Sequence, residues 1–257
     1  MTSLRQVGTT KEIPILSYHS IDSSGSSVSL TPSLFKRQMR YMRDCGYRTI
    51  RLSEFVHQAM LGKSFPGRTF VITFDDGYKN NYEIALPVLK AFGFTATIFI
   101  PTEFVGKKAT WKKKQDVPDF SLLSWREIEE MSQQDIDFQP HGSTHACLLP
   151  LALKDIESEI VQSKAEIEKR IGKQADVFCY PYGKFDERVV SLLKSMGFRG
   201  AVTAKFGVKQ QGDLFRLNRL AGDRLRNILS FRAALVGKYE PYFRLKVVAS
   251  RLLNRST

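Results

Sequence analysis

The sequence alternates short apolar runs with amphipathic helical patterns, and this alternation limits the possible folds more than any other feature. Apolar runs typical of buried strands occur at Ile13–Tyr18, Thr69–Phe74 and Thr95–Ile100. Segments with helical periodicity lie between such runs, and Lys154–Ile171 is the clearest of them. Strands that alternate with helices form parallel sheets through right-handed crossovers. Seven or eight such units in one chain favour an α/β barrel in a single domain over an open sheet.

Local signals place the other elements. Helices are predicted to begin at caps formed by Thr31-Pro32, Ser53 and Ser124, and glycines follow several helical segments. The remaining strands are predicted at Tyr47–Ile50, Ile136–Gln139, Val177–Tyr180, Arg199–Thr203 and Phe215–Leu220. A last helix is expected near Arg224–Val236.

The chain is strongly basic, with 39 lysines and arginines against 26 acidic residues and a net charge of +13. A surface of this charge favours an anionic partner, such as nucleic acid, anionic lipid or an acidic glycan. The sequence contains no recognisable nucleic-acid-binding module. We therefore expect no nucleic-acid partner and favour a glycan or a membrane surface.

Cysteine content and hydropathy limit the chemistry and the location. Cys45, Cys147 and Cys179 are odd in number, far apart and without a CxxC pair, so we expect reduced thiols and neither a disulfide framework nor a cysteine zinc site. The first residues lack the apolar core of a secretory signal, and no run of about 18 apolar residues exists. These observations favour a cytoplasmic or peripheral membrane location.

Polar residues that break the apolar pattern gather just after predicted strands. In a barrel of parallel strands, the carboxyl ends of the strands share one face, and catalytic residues collect there. This rule predicts one common site for six side chains: His19, Asp75, Asp76, His141, His145 and Tyr182.

The paired residues favour a metal site. Asp75 and Asp76 are adjacent, and two carboxylates that served the same role would repel each other. A divalent ion resolves this, because one carboxylate can bind the ion while the other acts as a base. His141 and His145 have a spacing that allows both to bind one ion, and one carboxylate with two imidazoles leaves positions open for water and substrate. The alternatives are a capping or turn aspartate pair and structural histidines.

Two further histidines are less informative. His19 is either a packed residue at the end of a strand or part of the site, and the residues alone do not choose between these interpretations. His57 lies within a helical pattern and is interpreted as a surface residue.

Three segments resemble the motifs of the polysaccharide deacetylases, also called the NodB-homology domain or carbohydrate esterase family 4. They are Thr73–Gly77 (TFDDG), His141–His145 (HGSTH) and the weaker Tyr180–Gly183 (YPYG), and the resemblance extends from about Ile13 to Leu220. It implies a distorted (β/α)7-8, TIM-like barrel and one divalent metal ion, most often zinc. By motif position, it implies Asp76, His141 and His145 as metal ligands, Asp75 as general base, and the backbone N–H of Tyr182 as an oxyanion donor.

The chain departs from this family pattern in two places. Many members have an arginine before the Pro-Tyr of the third motif, which orients the base, but this chain has Phe178-Cys179-Tyr180 there. Many members also carry a histidine near the C-terminus as general acid, whereas no histidine follows His145 here. The chain is similar to a poly-N-acetylglucosamine deacetylase branch that supplies this histidine from an N-terminal Tyr-His motif. Tyr18-His19 matches it, which implies His19 as general acid.

The predicted function is metal-dependent hydrolysis of N-acetyl groups on a sugar or polysaccharide, which releases acetate and a free amine. The substrate would be an N-acetylated glycan or a lipid-linked sugar. Two alternatives remain open: an O-acetyl esterase acting on a glycan, and a non-catalytic glycan-binding domain.

Three segments are expected along the chain: an N-terminal extension at 1–12, the barrel at 13–222 and a basic C-terminal helical extension at 223–257. In the last segment, an apolar stripe with flanking arginines predicts a helix that packs on the barrel or contacts an anionic membrane. The stripe consists of Leu245, Val248, Ala249 and Leu252.

Overall fold

The computed structural model describes residues 13–111, 121–208, 210 and 212–237. The predicted extension at 1–12 and the predicted apolar stripe of the C-terminal tail therefore lie outside the described residues. Within the described ranges, no helix combines the length and the apolar character needed to cross a bilayer.

A barrel of parallel strands organises the molecule. In chain order the strands are β1 (Ile15–Tyr18), β2 (Ser20–Ile21), β3 (Ser29–Leu30), β4 (Arg48–Thr49), β5 (Thr69–Phe74), β6 (Thr97–Ile100), β7 (Asp137–Pro140), β8 (Val177–Cys179), β9 (Gly200–Phe206) and β10 (Leu217–Ala221). The barrel follows the order β7-β6-β5-β1-β10-β9-β8, β4 adds to β5, and β2 pairs with β3. Each of these pairings is parallel. This confirms the predicted single-domain, distorted α/β barrel.

Helices connect and cover the strands. They are α1 (Pro32–Asp44), α2 (Leu52–Met60), α3 (Leu86–Phe92), α4 (Trp125–Ser132), α5 (Leu153–Ile171), α6 (Glu187–Ser195) and α7 (Ile228–Leu235). Their apolar faces pack on the strands and bury a core rich in phenylalanine and isoleucine. A second apolar cluster joins inner barrel residues, such as Val71 and Val202, to Phe55 of α2.

The helix caps follow the sequence at two of the three predicted positions. The Thr31 side chain accepts a hydrogen bond from the Leu34 N–H, and Ser124 forms a capping box with Glu127. The prediction for Ser53 is wrong, because α2 begins at Leu52 and its N-cap is Arg51, two residues before the predicted cap. The Ser53 hydroxyl instead donates to the buried Asp137 carboxylate, 2.9 Å away.

The barrel closes through a side chain rather than through a complete set of strand pairs. Within the described residues, β7 and β8 share no strand pairing. The buried Gln139 of β7 bridges them, because its side-chain oxygen accepts from the Val177 N–H at 3.0 Å and its amide donates to the Gln174 carbonyl at 3.4 Å. This one side chain satisfies backbone groups that a neighbouring strand would otherwise satisfy.

Replacing Gln139 by leucine is expected to destabilise the barrel. Leucine keeps much of the volume but leaves the Val177 N–H buried without a partner, which costs about 1–3 kcal/mol. In a chain of this size, each kcal/mol lowers the melting temperature by about 2–4 °C. Thermal and denaturant unfolding measure the effect, with the exposed Gln162→Leu of α5 as the control. Equal stability of the two variants would show that Gln139 does not close the barrel.

The last described helix, α7, packs on the barrel's outer layer. Phe231, Ala234 and Leu235 are buried, and the Phe231 ring meets the edge of Tyr41 from α1 with centroids 6.3 Å apart. This contact places the start of the predicted C-terminal extension against α1.

Candidate active site and metal centre

The six side chains predicted from the sequence lie together at the carboxyl end of the barrel. A cavity of about 290 Å³ opens there, and its lining includes all of them: His19, Asp75, Asp76, His141, His145 and Tyr182. The arrangement follows from the parallel strands, because each residue comes from a strand's carboxyl end or the loop that follows.

Three of these side chains form a compact donor set. The Nε2 atoms of His145 and His141 lie 3.2 Å and 3.6 Å from the Oδ1 of Asp76. All three residues are buried, with at most 4% of their surface exposed. Burial, together with the charge of the neighbouring His145, lowers the pKa of His141 to about 4. His141 is therefore neutral near pH 7, which is the form in which histidine binds a metal.

The spacing of these donors suits a divalent ion. Zinc binds imidazole nitrogen and carboxylate oxygen at about 2.0–2.2 Å, and the edge of a tetrahedron with such bonds is about 3.3 Å. The measured separations of 3.2 and 3.6 Å bracket this value. One carboxylate and two imidazoles also form a typical catalytic donor set with open positions.

A second group of possible ligands, formed by Asp75, His141 and Cys179, is a weaker candidate. Burial, with the charge of Asp75, raises the pKa of the Cys179 thiol well above its ordinary value, so the thiol stays protonated. The Asp75 carboxylate is engaged on both oxygens by an arginine. The Asp76, His141 and His145 set is therefore the better metal site.

The backbone at the donor set is held in uncommon conformations. Asp76 and His145 have φ values of +70° and +58°, in the left-handed region that residues with a side chain rarely adopt. Glu159 of α5 fixes the histidine loop, because its carboxylate accepts from the N–H groups of Ser143 and Thr144, each at 2.9 Å. Non-glycine residues in this region are over-represented at functional sites, which agrees with the metal assignment.

Trp111 packs against one histidine of the donor set. Its ring stacks on the imidazole of His145 with centroids 4.5 Å apart and an angle of 15° between the planes. Metal-binding histidines usually donate their second ring N–H to an acceptor. Among the described residues, the buried Nδ1 of His145 has none. Stacking against Trp111, and the edge contact with Tyr182 at 4.7 Å, orient the ring instead.

Asp75 forms a bidentate ion pair with Arg219 of β10, with both N–O distances at 2.7 Å. The same guanidinium also donates to the Thr203 carbonyl, the Thr73 hydroxyl and the Cys179 sulfur, so all five of its N–H groups are engaged. Burial alone would raise the pKa of Asp75, but the charge and hydrogen bonds of Arg219 lower it to about 2.

This ion pair corrects one expectation. The third motif lacks the arginine that many family members use to orient the base. In the structure, Arg219 comes from a different strand, β10, and pairs with Asp75. Its guanidinium also contacts the sulfur of Cys179, which belongs to the segment before the third motif.

His19 lies between two carboxylates. Its Nδ1 is 2.7 Å from the Oδ2 of Asp223, and its Nε2 is 3.8 Å from the Oδ2 of Asp75. Burial alone would lower the pKa of His19, but the hydrogen bond and charge of Asp223, with the charges of Asp75 and Asp76, raise it overall. The side chain remains 27% exposed, so the imidazole is open to the cavity and is suited to carry a proton there.

The turn that carries Asp223 is fixed by buried contacts. Gln38 of α1 accepts a hydrogen bond from the Tyr18 hydroxyl at 2.7 Å, and its amide donates to the carbonyls of Gly222 and Leu225. A Cβ on Gly222 would lie 2.4 Å from the Tyr18 ring, so only glycine allows this close approach.

Sequence reasoning missed Arg219, Asp223, Glu159 and Trp111. Two of them left a signal in the sequence. Arg219 lies two residues after Leu217 and so shares the inner face of β10 with it, where a charged residue is unusual. Asp223 follows the end of the last strand, where the rule that selected the other residues also applies. Glu159 lies within helix α5 and Trp111 within a long connection, and no local sequence pattern distinguishes either of them.

Comparison with known proteins agrees with this architecture. The family model for polysaccharide deacetylase matches residues 62–201, just over half of the chain. The Bacillus subtilis (strain 168) protein YxkH is 31% identical over 211 residues, covering 81% of this chain and 71% of YxkH. The chain therefore belongs to the polysaccharide deacetylase family.

Other relatives extend the comparison. The poly-beta-1,6-N-acetyl-D-glucosamine N-deacetylase of Staphylococcus epidermidis is 26% identical over 223 residues, which cover 82% of this chain and 74% of that protein. The structure of IcaB from Ammonifex degensii superposes with a TM-score of 0.75 at 24% identity, covering 89% of this chain and 97% of IcaB. Streptococcus pyogenes deacetylase PplD gives 0.73 at 24% identity, with coverage of 83% and 93%. At these identities the two structures support the fold alone.

Proposed function

We propose that this protein hydrolyses N-acetyl groups on an N-acetylated sugar or polysaccharide, with one divalent metal ion held by Asp76, His141 and His145. The donor set favours zinc. The observation that carries the proposal is the convergence of this donor set with an ionised carboxylate, Asp75, and a protonatable imidazole, His19, in one cavity. The family and the N-deacetylase relative support the same chemistry.

The side chains divide the proton transfers between them. When bound, the metal acts as a Lewis acid and stabilises the charge that develops on the acetyl oxygen. Asp75, ionised and oriented by Arg219, accepts a proton from the attacking water. His19 gives a proton to the sugar nitrogen as the C–N bond breaks. The products are acetate and the free amino sugar, so one water is consumed for each acetyl group removed.

Tyr182 completes the proposed site at the entrance. Its backbone adopts a left-handed conformation with φ of +59°, and its ring is 52% exposed beside His145. We assign its backbone N–H to the oxyanion, as a second donor beside the metal.

The His19–Asp223 pair favours an amide substrate over an ester. An amine leaves poorly unless its nitrogen is protonated, whereas an alcohol oxygen depends less on a strong acid. A carboxylate at 2.7 Å from Nδ1 raises the pKa of His19 and so favours the protonated form that this step needs.

Acetate release tests the proposal directly. The purified protein should release acetate from N-acetylglucosamine oligomers, lose this activity after treatment with a chelator, and regain it when zinc is added back. O-acetylated oligomers of the same length serve as the comparison and should react more slowly. Faster release from the O-acetylated set would make the protein an esterase, and no release from either set by the zinc-loaded protein would refute the hydrolase assignment.

The pH dependence should report the pair of His19 and Asp223. Since His19 acts in its protonated form, activity falls as the pH rises through its pKa. Asp223→Asn removes the carboxylate that raises this pKa, so the alkaline limb of the kcat/KM profile should move to lower pH. Asp213→Asn, outside the cavity, is the control and should leave the limb in place. If Asp223→Asn left the alkaline limb of the kcat/KM profile where it is in the wild-type protein, His19 would be excluded as the acid.

A further inference from the structure

Most charged groups in the active-site cavity already have a partner of opposite charge. Asp75 pairs with Arg219, and Asp223 pairs with His19. Asp76 faces the two histidines of the donor set, where the proposed function places a divalent ion. Among the described residues, these three are the carboxylates that line the cavity, and each already faces a positive group or the proposed ion.

Arg224 is different, because no acidic group in the described part of the chain balances its positive charge. It lies next to Asp223 in the turn after β10, lines the same cavity and is exposed to solvent. Among the described residues, its guanidinium makes no ion pair and no hydrogen bond, although Arg226, two residues later, donates to the carbonyls of Ser26 and Ser29. Arg224 is therefore available to a ligand.

Two exposed aromatic residues line the cavity as well. Tyr182 and Phe206 have 52% and 40% of their surface exposed, although large apolar side chains are usually buried. Aromatic rings of this kind offer flat apolar faces for a sugar ring. The cavity therefore presents aromatic surface, an unbalanced guanidinium and a donor set for a cation, and its overall charge is positive when a divalent ion is bound.

We propose that the substrate is an acidic N-acetylated glycan, in which a phosphate or carboxylate group lies next to the N-acetyl sugar and binds Arg224. This inference rests on the proposed function and adds a specificity residue to it. A guanidinium binds either anion through paired N–H groups, which lysine cannot reproduce. The net charge of +13 would also favour the approach of such a polymer.

The same charge distribution disfavours a cationic neighbour. Each turnover converts a neutral acetamide into an amine that is positively charged near neutral pH. A glycan whose adjacent sugar already carries a free amine should therefore bind poorly beside Arg224. An oligomer with an adjacent amine should therefore react more slowly than a neutral one, whereas an oligomer with an adjacent anion should react faster.

The experiment compares kcat/KM for acetate release from four oligomers that share one N-acetylglucosamine backbone. One is neutral, one carries an adjacent phosphodiester, one an adjacent carboxylate and one an adjacent free amine. The wild-type protein should prefer the better anionic oligomer over the neutral one by about five- to tenfold at low salt. The two anionic oligomers show which group Arg224 binds, and the amine oligomer should be the poorest.

Variants assign the preference to the residue. Arg224→Gln should reduce the ratio of anionic to neutral rates to about one, and Arg224→Glu should invert it. Arg40→Gln removes the same charge from an exposed position on α1, outside the cavity, and should keep the wild-type ratio. A ratio that Arg224→Gln leaves unchanged, or that Arg40→Gln lowers equally, would overturn the inference.

Failure of the proposed function would look different. In that case the zinc-loaded wild-type protein releases no acetate from any of the four oligomers. Titration calorimetry with the same oligomers then decides the inference by itself. Tighter binding of an anionic oligomer that depends on Arg224 supports it, and equal binding of all four oligomers by wild type refutes it.

Discussion

Replacing Asp75 by asparagine is expected to reduce turnover by about 10²–10⁴-fold, the usual contribution of a general base. Asparagine fills the same space but cannot accept the proton of the attacking water. Zinc content should stay near that of the wild-type protein, because the donor set is formed by Asp76, His141 and His145. Acetate release and metal analysis on the same preparation measure the two effects separately.

The adjacent position provides the matched comparison. Asp76→Asn and His141→Ala remove a ligand, so both should lose zinc affinity as well as turnover, and added zinc should restore little activity. If Asp75→Asn lost its zinc while Asp76→Asn retained it, the roles of base and ligand would have to be exchanged. Full activity in Asp75→Asn would remove it from the mechanism.

Replacing Arg219 by leucine is expected to reduce both stability and activity. The change leaves the Asp75 carboxylate buried without its partner, and breaking a buried ion pair in this way costs about 3–5 kcal/mol. It also removes the main cause of the low pKa of Asp75, so that pKa should rise and the acid limb of the activity profile should move to higher pH. Arg219→Lys keeps a charge without the two-pronged contact and should give a smaller loss of stability.

The pH dependence of unfolding distinguishes the ion pair from simple packing. The pKa of Asp75 is lowered to about 2 in the folded protein, so the pair stabilises the fold above the ordinary pKa of an aspartate. This contribution disappears as the pH falls through about 2. The stability difference between wild type and Arg219→Leu should therefore be largest near neutral pH and should narrow in acid. Arg216→Leu, at a largely solvent-exposed pair with Glu187, is the control and should change stability by less than about 1 kcal/mol. A pH-independent difference for Arg219→Leu would point to lost packing alone.

Sequence reasoning found the residues whose signal is local. Asp75 and Asp76 follow a fully buried strand, and His141 and His145 stand four apart in a short loop. The barrel was predictable for the same reason, because alternation of strands and helices is a pattern within short windows.

Partner residues were not predictable in this way. Arg219 and Asp75 are 144 positions apart in the sequence, and Asp223 and His19 are 204 apart. Such pairs depend on strand order and register, which no short window contains. Ser53 shows the same limit on a smaller scale, because its position suggests a helix cap while the fold turns its hydroxyl to Asp137.

The strand order divides the barrel into two consecutive parts of the chain. Strands β1 and β4–β7 come from the first part and β8–β10 from the second, and the ladder between β1 and β10 joins them. The three proposed ligands all belong to the first part. By contrast, the proposed base, Asp75, and the proposed acid, His19, each pair with a residue of the second part, Arg219 and Asp223 respectively.

In the proposed mechanism, metal binding therefore depends on residues of the first part, whereas proton transfer also needs residues of the second part. A protein in which the second part is displaced would still hold the ligand residues on one contiguous segment, although the His141 ring would lose its 2.8 Å contact with the Cys179 carbonyl. The proposed base and acid would have lost their partners. Under the proposed mechanism, activity therefore requires correct assembly, since the full set of charges comes together only when the two parts have folded against each other.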